Sequence, residues 1–248
     1  MKTRRLDLRL LELGLAPSRA RAQALIMAGR VTVDGQVVSK AGAGVGEGAR
    51  LAVTTPEHPW ASRGALKLEA ALDAFSIDPS GRDCLDVGAS TGGFTDLLLA
   101  RGARRVIALD VGRSQLHWRL RSDPRVVVME GVNARHLAPA ALPFRVDLAT
   151  VDVSFISLRL VVPPLLPHLR PGATLVCLVK PQFEAGRGQV GKGGIVRDEG
   201  VRRRAVDDTV AALVGLGLQL EGLVPSPVEG QKGNREELAV FTVGEAGA

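Results

Sequence analysis

The sequence has 248 residues, a formal net charge of +6 and 46 % hydrophobic residues, which admits one large or two unequal domains and excludes a wholly disordered chain. No apolar run reaches the ~18 residues of a membrane helix, and the first residues are too polar for a secretory h-region. Cys84 and Cys177 are the only cysteines, so no disulfide framework is expected and a reducing cytoplasm fits.

Residues 1–50 hold 9 basic and 4 acidic residues, whereas residues 51–248 hold 23 and 22. The excess charge therefore suggests a polyanion-binding module on a near-neutral domain; a solvated Arg-rich surface is the alternative. Leu6, Leu10 and Leu13 predict a helix over residues 5–13, ended by Gly14. Ser18 caps a second helix over residues 19–28, ended by Gly29. Residues 31–38 read as a hairpin around Asp34-Gly35. The first 59 residues contain no Phe, Trp or Tyr. A base-stacking module is thus excluded there, and any RNA contact reads phosphates and shape. Arg4 and Arg5 stand at the first helix, and Arg19, Arg21 and Arg30 on or near the second. This layout resembles the RNA-binding domain named after ribosomal protein S-four, over about residues 3–53.

Pro56 and Pro59 set an extended linker over residues 56–62, between a first domain of residues 1–55 and a second of residues 63–248. Trp60 within it can pack between the domains or contact RNA. Residues 84–87 form a short apolar strand, followed by Gly88-Ala89-Ser90-Thr91-Gly92-Gly93-Phe94 and a helix over residues 95–101. The glycines permit a tight turn and close approach of a ligand. A second strand over residues 105–109 ends in Asp110, 22 residues after Gly88, where a carboxylate can meet a ribose diol. The turn departs from G-x-G-x-x-G and lacks a phosphate-loop lysine. Its Asp86-x-Gly88-x-x-x-Gly92 form resembles the S-adenosyl-L-methionine loop of class I methyltransferases. That resemblance implies donor contacts at Asp86, Gly88, Ser90, Thr91, Gly92, Gly93 and Phe94, ribose contacts at Asp110 and adenine contacts at Asn133. A plain turn role for Asn133, after a third strand over residues 125–129, is the alternative. Further strands over residues 147–152, 173–180, 218–224 and 238–243, with helices between most of them, predict an α/β fold. Its sheet is parallel with helices on both faces. The short link over residues 229–237 suits an antiparallel last strand.

Arg outnumbers Lys 26 to 6, as GC-rich codon usage would produce. Each remaining lysine stands out, because lysine can lose its proton and arginine effectively cannot. Active groups in open α/β sheets gather at the carboxyl ends of strands. Asp152 ends strand four and Lys180 strand five, Lys67 opens a helix before strand one, and Glu236 precedes the last strand. Two lysines and two acids can therefore converge; for each alone, a solvated charge is the alternative. Asp152-Val153-Ser154-Phe155 lacks the prolines of amino methyltransferase turns, and both cysteines sit in apolar strands, which disfavours a thiolate nucleophile. A ribose hydroxyl needs a base or polariser, and a desolvated lysine serves; such proton transfer supplies ~10²–10⁴ in rate. His58, His117, His136 and His168 lack metal-ligand spacing, so no metal site is expected. Residues 186–194 form a basic, glycine-rich loop that can close over RNA or merely cross over.

The most specific stretches are Ser62-Arg63-Gly64-Ala65-Leu66-Lys67-Leu68, Leu85 to Phe94, Val151-Asp152-Val153-Ser154-Phe155-Ile156-Ser157-Leu158, Val179-Lys180-Pro181-Gln182-Phe183-Glu184, Val190-Gly191-Lys192-Gly193-Gly194-Ile195-Val196-Arg197-Asp198 and Gly233-Asn234-Arg235-Glu236. Together they resemble the TlyA (haemolysin A) family of ribosomal RNA 2′-O-methyltransferases, essentially over residues 3–243. That family joins an S-four-type domain to an FtsJ-like methyltransferase domain. The resemblance implies S-adenosyl-L-methionine as cofactor, ribosomal RNA or ribosomal subunits as partner, and a cytidine ribose as acceptor. It implies a tetrad of Lys67, Asp152, Lys180 and Glu236. Lys180 would be the base or polariser, Asp152 and Glu236 would orient the lysines, and Lys67 would hold the nucleotide. Glu237 stands where the family usually has an aromatic, so it remains an alternative to Glu236. Arg63 and Lys192 join Arg4, Arg5, Arg19, Arg21 and Arg30 as expected RNA contacts. A cytoplasmic monomer is expected. The competing readings are a non-catalytic RNA-binding factor for ribosome assembly and a membrane-active haemolysin; no cationic amphipathic stretch with aromatic anchors supports the latter.

Overall fold

The structure is a computed structural model that describes residues 3–27, 29–53, 58–186, 188–191, 193–230 and 233–244. Lys192, Ala28 and Pro56 lie outside the described residues. The chain forms two compact units, Met1–Pro59 and Trp60–Ala248.

In the smaller unit, β1 (Thr3–Arg5) leads into α1 (Leu6–Glu12), then α2 (Arg19–Met27), β2 (Val31–Val33), β3 (Gln36–Val37), β4 (Gly44–Gly46) and β5 (Leu51–Val53). The first helix therefore starts one residue later than its periodicity suggested. Thr3–Arg5 is a strand because it pairs antiparallel with Gly44–Gly46. The Ser18 hydroxyl accepts from the Arg21 amide, 3.2 Å, as an N-cap does. The hairpin forms around Asp34 and Gly35, both at positive φ, and β5 extends it to three strands in the order β3-β2-β5. Leu6, Leu10, Ala22, Ile26 and Val31 close the unit's core.

The larger unit runs α3 (Gly64–Ala74), β6 (Asp83–Val87), α4 (Gly93–Ala100), β7 (Arg105–Asp110), α5 (Trp118–Arg121), β8 (Val126–Glu130), β9 (Val146–Val151), α6 (Leu158–Leu165), β10 (Leu169–Val179), α7 (Pro181–Glu184), α8 (Glu199–Val214), β11 (Leu218–Pro225) and β12 (Glu237–Val243). The sheet order is β11-β12-β10-β9-β6-β7-β8. Strands β8, β7, β6, β9 and β10 are mutually parallel, and β12 runs antiparallel to both β10 and β11. The sheet is therefore mixed, with its single reversed strand last in the chain.

Alternation along each strand separates two cores. Leu85, Val87, Ile107, Val151 and Cys177 face α6 and α8, where Val161, Val162, Val206 and Leu213 cover them. Cys84, Val106, Leu148, Val176 and Val240 face α3 and α4, where Leu68, Leu72, Leu97 and Leu98 cover them. Trp60 packs on this second face. Both cysteines are fully buried, and burial pushes the Cys84 thiol up to about 12 and the Cys177 thiol higher still. Neither can act as a thiolate near neutral pH.

At the amino ends of the strands, the fully buried Asp83 accepts from Arg104, Arg105 and Arg170, and these guanidinium groups hold its carboxyl well below the usual range. The opposite rim is thereby left for chemistry. Among the described residues no helix is long and apolar enough to cross a membrane.

Candidate active site

The carboxyl end of β6 opens into the glycine turn. Gly88 has φ +84° and Gly92 φ +95°, the left-handed region that favours glycine. A Cβ at Gly92 would collide with Leu116, two residues before α5, and Leu120 within it, so this position also needs the bare backbone. Ser90 (φ 49°) and Phe155 (φ 64°) share that region without being glycine, and both line the same cavity. Such strained positions concentrate where a site over-determines the backbone.

The cavity has a volume of about 470 Å³ and spans the turn, the end of β7 and the loop after β9. Asp110 lies in its wall. Its Oδ2 accepts from the Ser90 amide at 2.8 Å and its Oδ1 from the Gly112 amide at 2.6 Å. Each oxygen keeps a lone pair for a ligand hydroxyl. Val111, Val132, Ala134 and Ile156 make the apolar part of the wall. Asn133 also lines it, but its Oδ1 caps a helical turn by accepting from the Arg135 amide, 3.0 Å. The turn role is thus realised.

A smaller adjoining cavity is lined by Ser62, Gly64, Asp86, the turn residues Gly88 to Thr91, Gly93, Phe94 and Asp152. Asp86 works chiefly inward. It is almost fully buried and accepts from the Thr95 amide at 2.9 Å, the Thr95 hydroxyl at 2.7 Å and the Thr150 hydroxyl at 3.3 Å. It thereby fixes the first turn of α4, which starts two residues earlier than its periodicity suggested. Burial pushes its carboxyl up to about 7, against the opposing pull of the Thr95 hydrogen bond. A folded-state value above the ordinary 3.8 means that native protein holds a proton the unfolded chain has lost. The stability this contributes is full below about pH 4 and vanishes as pH rises through about 7. Asp86→Asn removes that dependence. Thermal melts from about pH 5 to 8 should show wild type losing ground to the variant, by at most about 1.4 kcal/mol per pH unit. Parallel curves would refute the buried proton.

The four tetrad residues meet as two ion pairs. Lys180 Nζ lies 2.5 Å from Asp152 Oδ1 and donates to Ser154 Oγ at 3.1 Å. Lys67 Nζ donates to Glu236 Oε2 at 2.6 Å. Glu236 Oε1 accepts from Gln182 Nε2 at 3.2 Å, and Gln182 sits two residues beyond Lys180, so the chain itself links the pairs. Lys180 and Glu236 are buried. It is Glu236, not Glu237, whose carboxylate meets Lys67; Glu237 is already the first residue of β12, paired with Val179 and Pro225. Asn234 braces the approach, accepting from the Val196 amide and donating to the Gly194 carbonyl at 2.9 Å. Ser154, Gln182 and Phe155 are site residues that sequence reasoning quoted without assigning a task. Phe155 is 85 % exposed at the cavity lip, its ring 5.1 Å from that of Phe183.

The expected RNA contacts fall outside these cavities. Arg63 is exposed at the start of α3, Arg21 is exposed on α2, Arg30 follows it, and Arg4 pairs with Glu12. Arg5 and Arg19 converge on a residue the sequence did not flag. Asp7 is fully buried and accepts from Arg5 Nε (3.0 Å) and Nη2 (2.9 Å), Arg19 Nε (3.1 Å) and Gln23 Nε2 (2.9 Å). The Arg5 guanidinium holds the Asp7 carboxyl well below the usual range, against desolvation. Both arginines stay half-exposed, so Asp7 presents two oriented cations. Asp7→Asn makes the unit more positive, yet should weaken RNA binding and lower stability by about 1–3 kcal/mol. Filter binding and thermal melts check this; tighter binding would show that net charge outweighs orientation.

Residues 60–242 match the family described as FtsJ-like methyltransferase, and residues 4–51 match the S4 domain. The 16S/23S rRNA (cytidine-2'-O)-methyltransferase TlyA of Mycobacterium tuberculosis is 51 % identical, over 94 % of this chain and 87 % of that protein. YqxC of Bacillus subtilis, described as an rRNA methyltransferase, is 45 % identical over 96 % of this chain and 85 % of that one. A solved structure from Streptococcus thermophilus, described as a hemolysin, superposes with a TM-score of 0.76 at 40 % identity, covering 99 % of this chain and 90 % of that one. The strand order, the glycine turn and these matches agree: the chain belongs to the FtsJ-like methyltransferases, alongside the TlyA proteins.

Proposed function

We propose that this chain transfers a methyl group from S-adenosyl-L-methionine to the ribose 2′-hydroxyl of a cytidine in ribosomal RNA. The observation that carries the proposal is the pairing of Lys180 with Asp152 and of Lys67 with Glu236 on the rim that also bears Asp110 and the glycine turn. The activity named for the M. tuberculosis relative supports the same acceptor. The residues suit the donor chemically. Asp110 has lone pairs for a ribose diol, Val111 and Val132 offer an apolar slot with the Asn133 amide beside it, and the turn from Gly88 to Gly93 allows close backbone approach. When bound, the donor supplies an electrophilic methyl group on a sulfonium sulfur.

The chain's own task is then to position and deprotonate the hydroxyl. Lys180, as the neutral amine, takes its proton as the methyl group's bond to oxygen forms and its bond to sulfur breaks, so the electron pair of the broken bond leaves on a neutral thioether. Asp152 and Ser154 hold the Lys180 nitrogen in place, and Asp152 pairs with the ammonium that proton uptake leaves. Lys67, steadied by Glu236 and Gln182, holds the nucleotide in line with the methyl group. The smaller unit contributes affinity through Arg5, Arg19, Arg21 and Arg30, which bind phosphates rather than bases. A ribosomal substrate implies the cytoplasm as the compartment.

The test offers a tritium-labelled donor with 30S subunits, 50S subunits and protein-free rRNA separately, then maps the labelled nucleotide. Label on a cytidine 2′-oxygen is expected. Label on a base, or none with any substrate, would overturn the reading.

A further inference from the structure

Unpaired RNA is commonly held by stacking its bases on aromatic side chains, and the smaller unit has no Phe, Trp or Tyr with which to do so. Stacking must come from the larger unit, which carries all eight aromatics, 2 Trp and 6 Phe. Six of these are buried or partly buried; two are exposed, Phe155 and Trp118. Phe155 belongs to the cavity described above. Trp118 is 67 % exposed and has no task there.

Its mounting is rigid. Trp118 opens α5, and Leu116 just before the helix and Leu120 within it are buried against Gly92. The His117 amide donates to the Thr91 carbonyl at 3.1 Å, and Gln115 lines the donor cavity. The indole thus stands on the same turn that braces the glycine loop. The His117 ring lies beside it, centroids 5.9 Å apart. Cations flank it in fixed positions. Arg119 is held by Asp96 at 2.7 Å and Arg121 by Glu130, yet 55 % and 41 % of these side chains remain exposed. A large flat apolar surface between anchored guanidinium groups, next to a methyl-donor cavity, has the chemistry of a nucleotide platform: the ring stacks on a base and the cations meet its phosphates.

We propose that Trp118 is a stacking platform for an unpaired nucleobase of the substrate RNA, flanking the nucleotide that is methylated. This rests on the RNA reading above. It gives the basic but aromatic-free smaller unit a complement, with phosphates read by one unit and a base by the other. Because α5 also braces Gly92, stacking there steadies the donor loop.

The test uses the full chain with protein-free rRNA and with isolated 30S and 50S subunits. Trp118→Ala should weaken RNA binding roughly 5- to 100-fold and raise KM with kcat nearly unchanged. Trp118→Phe should restore most of the affinity, and Trp118→Leu, apolar but without a π face, should not. S-adenosyl-L-methionine binding and the melting temperature should stay at wild-type values in all three, since the side chain is exposed. The chain has 2 Trp, so Trp60→Phe leaves Trp118 as sole emitter, and its fluorescence should quench as rRNA is added. Unchanged affinity in Trp118→Ala with unquenched emission would overturn the platform while leaving the RNA reading intact. A loss seen with subunits but not with protein-free rRNA would mean that the indole meets a ribosomal protein, which also overturns it. No RNA binding by the unmodified chain would overturn both.

Discussion

Lys180→Arg is expected to abolish methyl transfer while leaving donor and RNA binding intact. The substitution keeps the positive charge and offers Asp152 a better-matched partner, because a guanidinium can bind a carboxylate through two hydrogen bonds. A purely electrostatic role would therefore survive it. Proton removal would not, since a guanidinium effectively never gives up its proton in a protein. General-base catalysis supplies about 10²–10⁴ in rate, so single-turnover methyl incorporation should fall by that factor. Lys180→Met provides the scale: it removes charge and base together at similar length. If the Arg variant is as slow as the Met variant, charge alone contributes little. If the Arg variant retains more than about a tenth of wild-type rate, proton transfer is not the role of this residue. Asp152→Asn should fall between wild type and these two, because the lysine is kept and Ser154 still holds its nitrogen at 3.1 Å.

Lys180 was legible in the sequence because codon bias had thinned the lysines to 6, and because a polar residue closing an apolar run marks a strand's carboxyl end. Asp152 and Asp110 were legible for the same reason. Glu236 was read for the tetrad but Glu237 stayed open, because adjacent residues differ only in which face a strand's first pair presents. That register is set by β12 pairing with β10 and β11, which is a long-range fact. Strands β1, β4 and β5 escaped because three residues carry no measurable period. They exist through partners more than ten residues away. Asp7 read as one polar position on an amphipathic helix. Its burial arises because Arg5 from β1 and Arg19 and Gln23 from α2 converge on it. The exposure of Trp118 was equally hidden, since an indole within a Leu-bearing helix suggests a core residue. The residues that escaped share one property: their role depends on side chains brought from elsewhere in the chain.

Gly88→Ala is expected to destabilise the larger unit by more than about 3 kcal/mol and to remove activity in whatever protein still folds. Two separate penalties act. The backbone at φ +84° disfavours any Cβ, by roughly 1–2 kcal/mol. The added methyl would also press into the Asp152 carbonyl, 2.9 Å from its carbon and nearer still to its oxygen. That backbone is not free to yield. The Asp152 amide donates to the Val87 carbonyl at 2.9 Å, and the Gly88 amide to the Leu109 carbonyl at 2.8 Å, so the ends of β6, β7 and β9 are tied together here. Any shift that relieves the clash moves Asp152, and with it the Lys180 nitrogen 2.5 Å away. A displacement of about 1 Å at reacting groups can lower the rate about 10²-fold. Gly217→Ala separates the two penalties. Its φ of +89° is nearly the same, but nothing lies within 4 Å of the added Cβ. Gly217→Ala should therefore lose only the backbone term, with activity unchanged. Equal melting temperatures and equal activities for the two variants would show that the contact between Gly88 and Asp152 contributes nothing to positioning the site.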